Sequence, residues 1–430
     1  MADQLDLYFR AHTIAQDAEV EEWRQGHGKN LEHALIFHCA TSAGERKDLL
    51  FGAYICADMK GVQFVANEIG LFYRDDHAEE TRVLERFVKG SNFELGTVEQ
   101  FRRRVFLKYL KAGGLIVAYD APFEISRIAL KWNKSTKQRH AFSFYFRLFR
   151  DKKTAKLRPS GFEPGISIES LDAAKAVYRQ VKYKFHEDDA ERDEEQQSSG
   201  VHVLDLKTLT AVLTGATYTF SSASEIFATP ASRARKTRPR VTKPAIERLL
   251  RDVTGQLELL NRLKHELEQH PLDLIPERCF SPATLAKGYF SAMGIKPPQQ
   301  KFRIPDEING IAAQAFFAGR AECLIRRTPV PFTYVDFHAQ FPVVSSLLDC
   351  REILCAESLE FTDFTTEARE MVERVSLDYC LKPEFWKQLR WFALVEPQED
   401  VLPMRAKFGK SGVSDPRWDG IFSPRSSPFG

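Results

Sequence analysis

LIVAYDAPFEISRIALKW, residues 115–132, decides the fold. Its first six residues form an apolar run ending in Asp120, which reads as a buried strand. The next twelve, with Pro122 in the first turn, read as a helix. Upstream, TVEQFRRRVFLKYLK (97–111) spaces Val98, Phe101, Val105, Phe106 and Leu110 by threes and fours, with Gly113 and Gly114 as its stop. Further back, ALIF, LLFGAYICA and GVQFVA between Leu35 and about Val65 are short apolar runs parted by polar turns, the pattern of a β-meander. A meander followed by strands alternating with helices implies an α/β class with a mixed sheet.

Downstream, strands are expected at Phe142–Leu148 and Ile166–Ser170, and VHVLDLKTL (201–209) reads as a strand running into a helix capped by Asp205. The acidic run EDDAERDEE (187–195), within an insertion at about 186–200, reads as a solvated loop. SRARKTRPRVTK (232–243) is basic, and serves equally as a phosphate-touching loop or a surface linker. The basic side of the 97–111 helix, Arg102, Arg103, Arg104, Lys108 and Lys111, reads as a solvated face, with a DNA track as the alternative if that face borders the cleft. From Pro244 to about Gln269 a long amphipathic helix is expected, with Ile246, Leu249, Val253, Leu257, Leu260 and Leu263 on its apolar face. Beyond a boundary between about 270 and 300 come the helix SPATLAKGYFSAMGI, a helix ending in AFFAGRAE (315–322) and the strand FTYVDF (332–337).

Totals set limits on function. The chain has 430 residues and a formal net charge of +2, so any polyanion surface is local rather than global. Seven cysteines without a Cys-x-x-Cys pair give no zinc signature. The N-terminal segment 1–30 is charged throughout, and no run approaches the roughly 18 apolar residues of a membrane span. The expectation is a cytoplasmic protein with no membrane partner.

The order of segments from about 33 to 350 resembles family B DNA polymerases, in which an RNase H-like 3′–5′ exonuclease domain precedes the polymerase palm. HALIFHCATS (33–42) stands where that family has a strand ending in Asp-x-Glu. VAYDAPFEISRIA (117–129) resembles Asn-x-x-Phe-Asp, and RLLRDVTGQLELL (248–260) resembles Tyr-x-x-x-Asp. AFFAGRAE resembles Tyr-x-Gly-Gly, and YVDFHAQFPVV (334–344) resembles the palm motif Asp-Phe-x-Ser-Leu-Tyr-Pro. The resemblance implies an exonuclease-type domain over 31–270, helices and a partial α+β palm over 271–402, and an irregular tail over 403–430.

It also assigns roles. Asp120, Glu124, Asp252 and Asp336 take catalytic positions; Glu124, Asp252 and Asp336 are metal ligands for Mg2+ or Mn2+; and Phe123, Arg248, Arg320 and Phe341 contact nucleic acid. Two-metal phosphoryl chemistry needs several carboxylates converging on a pair of cations. Here His38 and Ala40 replace the first pair of carboxylates, Arg248 replaces the tyrosine, and no second palm aspartate motif follows Asp336. The expected function is therefore that of a polymerase-related protein that binds single-stranded or primer-template DNA and is inactive alone as exonuclease and polymerase. The alternatives are a divergent metal-dependent 3′–5′ exonuclease, a scaffold module, or half of a split polymerase completed by a second chain.

Overall fold

The computed structural model describes residues 31–393 except 44, 75–77, 136–140, 152–154, 172–174, 185–191, 195–200, 232–239, 316–327 and the alternate positions 332, 334, 336 and 338. It also describes 404–405 and 421–422. The chain divides into two compact units, Met1–Met293 and Gly294–Gly430.

In the first unit β1 (His33–Thr41), β2 (Leu49–Lys60) and β3 (Gln63–Tyr73) form the expected antiparallel meander. α1 (Ala78–Val88) leads to β4 (Glu94–Thr97), which pairs parallel to β3. The expected helix over 97–111 forms in three pieces: α2 (Val98–Gln100), a π-helical turn Phe101–Phe106 and α3 (Leu107–Ala112). A Thr97/Gln100 capping box starts it, and Gly113, at φ 70°, ends it. The π turn lets Phe101 lie flat on Phe72, with ring centroids 4.1 Å apart, while Phe106 meets Phe146 at 4.6 Å. It also buries Arg102, whose Nη1 donates to Ile128 O, so the basic face expected on this helix lacks that residue.

β5 (Leu115–Ala118) and α4 (Ala121–Ile128) are the strand and helix of the deciding segment, but the helix expected to run to Trp132 stops at Ala129, which is extended, and Lys131 and Trp132 begin a strand instead. Next come β6 (Lys131–Lys134), β7 (Ala141–Tyr145), β8 (Leu148–Arg150), β9 (Leu157–Pro159), β10 (Gly165–Ser170), β11 (Ala176–Lys184) and β12 (Arg192–Glu194). Of the acidic run taken as a loop, the described part is therefore a strand, with Glu194 opposite Lys182. β13 (His202–Asp205) runs into α5 (Leu206–Thr214). α6 (Phe220–Ile226), the long α7 (Lys243–Glu268) and α8 (Pro282–Ala292) complete the unit.

The main sheet has the order β13-β5-β1-β2-β3-β4, with β1, β5 and β13 mutually parallel, and is a mixed α/β sheet. Its central strands are buried on both faces, which is why β1 reads as a continuous apolar run rather than an alternation. Ala34, Ile36, Ala53, Ile55 and Val117 face Ile246, Leu249, Val253, Leu260 and Leu263 of α7. Leu35, Phe37, Ile116 and Ala118 face the π turn, α3 and α4. A second sheet, β12-β11-β10-β7-β6, adds Ile166 and Ile168 to that latter core. β5 and β13 end together at Ala118 and Asp205 while the parallel β1 runs on past them, so the carboxyl ends of the three strands open onto one edge.

α7 is long, but no helix among the described residues is long and apolar enough to cross a membrane. The expected strand at 332–337 falls in the second unit, and Phe332, Tyr334 and Asp336 of it lie outside the described residues. Thr333, Val335 and Phe337 carry no strand assignment, and Val335 and Phe337 are 82% and 76% exposed.

Candidate functional site

The shared edge is where the chain departs from ordinary secondary structure. β1 pairs with β5 only as far as Ile36↔Val117, so three residues later the Cys39 N–H has no strand partner on that side. Glu124, one turn into α4, supplies the acceptor. Its Oε2 takes the Cys39 N–H at 2.8 Å, and its Oε1 takes His38 Nδ1 at 2.8 Å. Glu124 is 2% exposed and His38 27%, so the pair spans the boundary between core and cleft. Burial works to lower the His38 pKa; the charge and hydrogen bond of Glu124, with the charge of Asp252 adding, overcome it and hold the pKa above 6.5. The proton therefore sits on Nδ1 and is donated to Glu124. Burial and the same carboxylate push the Cys39 thiol well up, leaving it an inert thiol.

The turn between β5 and α4 is held by a second carboxyl. Asp120 adopts φ 64°, a left-handed conformation that aspartate tolerates better than most residues. Its N–H donates to Asp205 Oδ1 at 3.0 Å, and the same oxygen accepts the Lys207 N–H at 2.9 Å. Asp205 thus caps α5, as expected, and also ties β13 to the neighbouring strand end. Burial first, then the charge of Asp120, raises its pKa to about 7, against the N–H groups of Lys207, Asp120 and Ala121. Tyr178 hydroxyl reaches its other oxygen at 3.4 Å. The Asp120 side chain turns outward and meets Lys207 Nζ at 3.2 Å.

From the opposite layer, α7 presents Arg248, Asp252 and Gln256 one turn apart. Gln256 is fully buried and accepts the Tyr119 N–H at 3.0 Å, closing the carboxyl end of β5. Arg248 and Asp252 are half-buried. Phe123 lies beneath the guanidinium of Arg127, 5.0 Å from its ring centroid. Asp252 acts electrostatically on His38, so three of the motif-bearing segments converge on this edge.

No protein-family model matches the chain, and no curated protein is similar to it.

The site residues expected from sequence therefore fall into three groups. His38, Glu124 and Asp252 come together, while Asp120 joins Asp205 and Lys207 instead. Phe341 is exposed on the helix 340–347 of the second unit, and Asp336 and Arg320 lie outside the described residues. The edge does not fit a pair of divalent cations. Both Glu124 oxygens are already engaged, by His38 Nδ1 and the Cys39 N–H, and the Lys207 ammonium occupies Asp120. Among the described residues no three His, Cys, Asp or Glu side chains are grouped to hold a metal ion. Lys207 and Gln256 were missed by motif reading. The signal for Lys207 was its place just past the end of a strand, VLDLK, parallel to the one ending at Asp120.

Proposed function

We propose that the first unit is an RNase H-like, exonuclease-type module that binds single-stranded nucleic acid without cleaving it, its metal site rebuilt as a metal-free polar edge. The observation that carries this is the full engagement of Glu124 by His38 Nδ1 and the Cys39 N–H. A ligand position has become a clamp between α4 and β1. The sheet supports the fold assignment: an antiparallel meander is followed by two parallel strands, with helices on both faces and the candidate residues at the strand ends.

In this reading Asp252 is what remains of the ancestral acidic set, and His38 and Lys207 supply cationic groups where a nuclease carries metal. A protonated imidazole and an ammonium attract phosphate directly. Neither positions and activates water as two metals do, so binding survives and hydrolysis does not. Magnesium and manganese have no role in this binding.

The test is incubation of the purified full chain with a 3′-labelled single strand and manganese, following binding and shortening together, with Asp252→Ala alongside. Salt-sensitive binding without shortening is the expected result. Shortening that Asp252→Ala abolishes would replace this reading with that of a divergent metal-dependent exonuclease.

A further inference from the structure

Beside the cleft lies a groove of about 750 Å3 lined by Arg74, Arg127, Leu130, Trp132, Phe142 and Phe144, none of which the clamp uses. It opens near Leu49, the partner of Thr41, three residues beyond His38 on β1. β6 and β7 build its aromatic wall. Their register places Trp132 opposite Phe144 and Lys134 opposite Phe142, so these four side chains share one face of the hairpin. β6 is the edge of its sheet, and Trp132 is 61% exposed, with Phe142 at 39%. The two rings meet at 5.6 Å with planes at 73°, an edge-to-face contact that covers one face of one ring and leaves the other faces open.

The cations around this wall are placed rather than scattered. Arg127 donates to the carbonyls of Arg46 and Lys47 at 2.6 and 2.7 Å, so its guanidinium is fixed; no carboxylate among the described residues contacts it. Lys134 likewise meets no carboxylate among the described residues, and the acid lining the groove is Asp48. Arg127 is one turn past Glu124 on α4, and its charge reaches Cys39, so it belongs to both cleft and groove. Open ring faces with fixed cations beside them suit flat bases carried on a phosphate chain. An acidic peptide would use the cations and leave the ring faces idle.

We infer that this groove binds single-stranded nucleic acid, stacking bases on Trp132 and Phe142 and holding backbone phosphates along Arg127, Arg74 and Lys134 as the strand leaves the cleft. The inference rests on the nucleic-acid-binding reading of the first unit.

Fluorescence anisotropy of labelled oligo(dT) with the full chain at low salt tests it, with a hairpin duplex as competitor. Trp132→Ala and Phe142→Ala are each expected to weaken binding roughly fivefold to a hundredfold. Trp132→Phe, which keeps a stacking surface, should retain most of the affinity, and the duplex should compete poorly. Phe162→Ala, at a 98% exposed ring outside the groove, should bind as wild type. Matching urea midpoints establish that the variants fold. If both alanine variants bind as wild type while Phe123→Ala weakens binding, the groove is overturned and the cleft reading stands. If the wild-type chain binds no oligonucleotide, both fall together.

Discussion

Replacing Asp205 by asparagine should make the protein more stable above neutral pH and leave it nearly unchanged in acid. Asp205 Oδ1 accepts the Asp120 and Lys207 N–H groups, and the Tyr178 hydroxyl donates to Oδ2. Asparagine keeps the Oδ1 acceptor, and its amide N–H meets the Tyr178 oxygen once that hydroxyl turns to donate elsewhere. In the folded wild type the group titrates at about 7, against an ordinary 3.8, because it is buried beside Asp120. A carboxyl raised in this way binds its proton more tightly folded than unfolded. Its contribution is fully present below 3.8 and is lost as pH rises through about 7, at about 1.4 kcal/mol per pH unit and about 4 kcal/mol in all. Asparagine cannot ionise, so Asp205→Asn should gain by this amount relative to wild type across the interval. Urea titrations of both proteins, followed by far-UV circular dichroism at about pH 5 and about pH 8, measure the difference on opposite sides of most of the transition. A stability difference equal at the two pH values would refute the reasoning, since it would mean that Asp205 is already ionised in acid.

Glu124→Gln should destabilise the first unit by about 2–4 kcal/mol, because two hydrogen bonds to a buried charge are replaced by one good acceptor. It should also lower the His38 pKa, read by NMR titration of the ring. The His38 contribution to stability is fully present below 6.5 and lost as pH rises through its higher folded value, and Glu124→Gln should abolish that dependence. Gly255→Ala should cost about 1–3 kcal/mol in urea melts, although alanine favours a helix interior, because its Cβ would stand 1.8 Å from the Pro230 carbonyl oxygen that crosses α7 there. Gln256→Leu should cost about 1–3 kcal/mol by leaving the Tyr119 N–H unpaired, with faster hydrogen exchange at that amide as its local mark.

The meander, the β5–α4 unit, the β13–α5 unit and α7 were legible because each has a periodicity and a recognisable stop: Asp120 and Pro122, Asp205, Gly113, and Thr242 with Pro244. The second sheet was half legible. β7 and β10 carry aromatic or β-branched alternation, whereas β6 (KWNK) and β11 (AVYRQVKYK) are edge-like and basic, and their pairing is set by neighbours rather than by their own composition. FTYVDF has strand composition as well, but alternate residues of it, Asp336 among them, lie outside the described residues. At the site, motif spacing located His38, Glu124 and Asp252 on one edge but could not reveal that Glu124 turns inward. That follows from where the β1–β5 pairing stops, which is a property of two strands at once.

On the proposed exonuclease-type reading, the residues at the strand ends depart from the motifs they resemble in one electrostatic direction. A two-metal edge without its metals is a cluster of carboxylates, and such a cluster repels a phosphate chain. Here histidine and alanine stand at positions 38 and 40, Lys207 pairs Asp120, His38 pairs Glu124, and Asp205 shares its charge with a proton near neutrality. Each change removes or compensates a negative charge, and together they make the edge approachable by a polyanion without any cation. On the proposed reading this is the charge balance that a metal-free cleft holding a phosphate chain requires, and the fixed guanidinium of Arg127 at the same edge extends it into the adjoining groove.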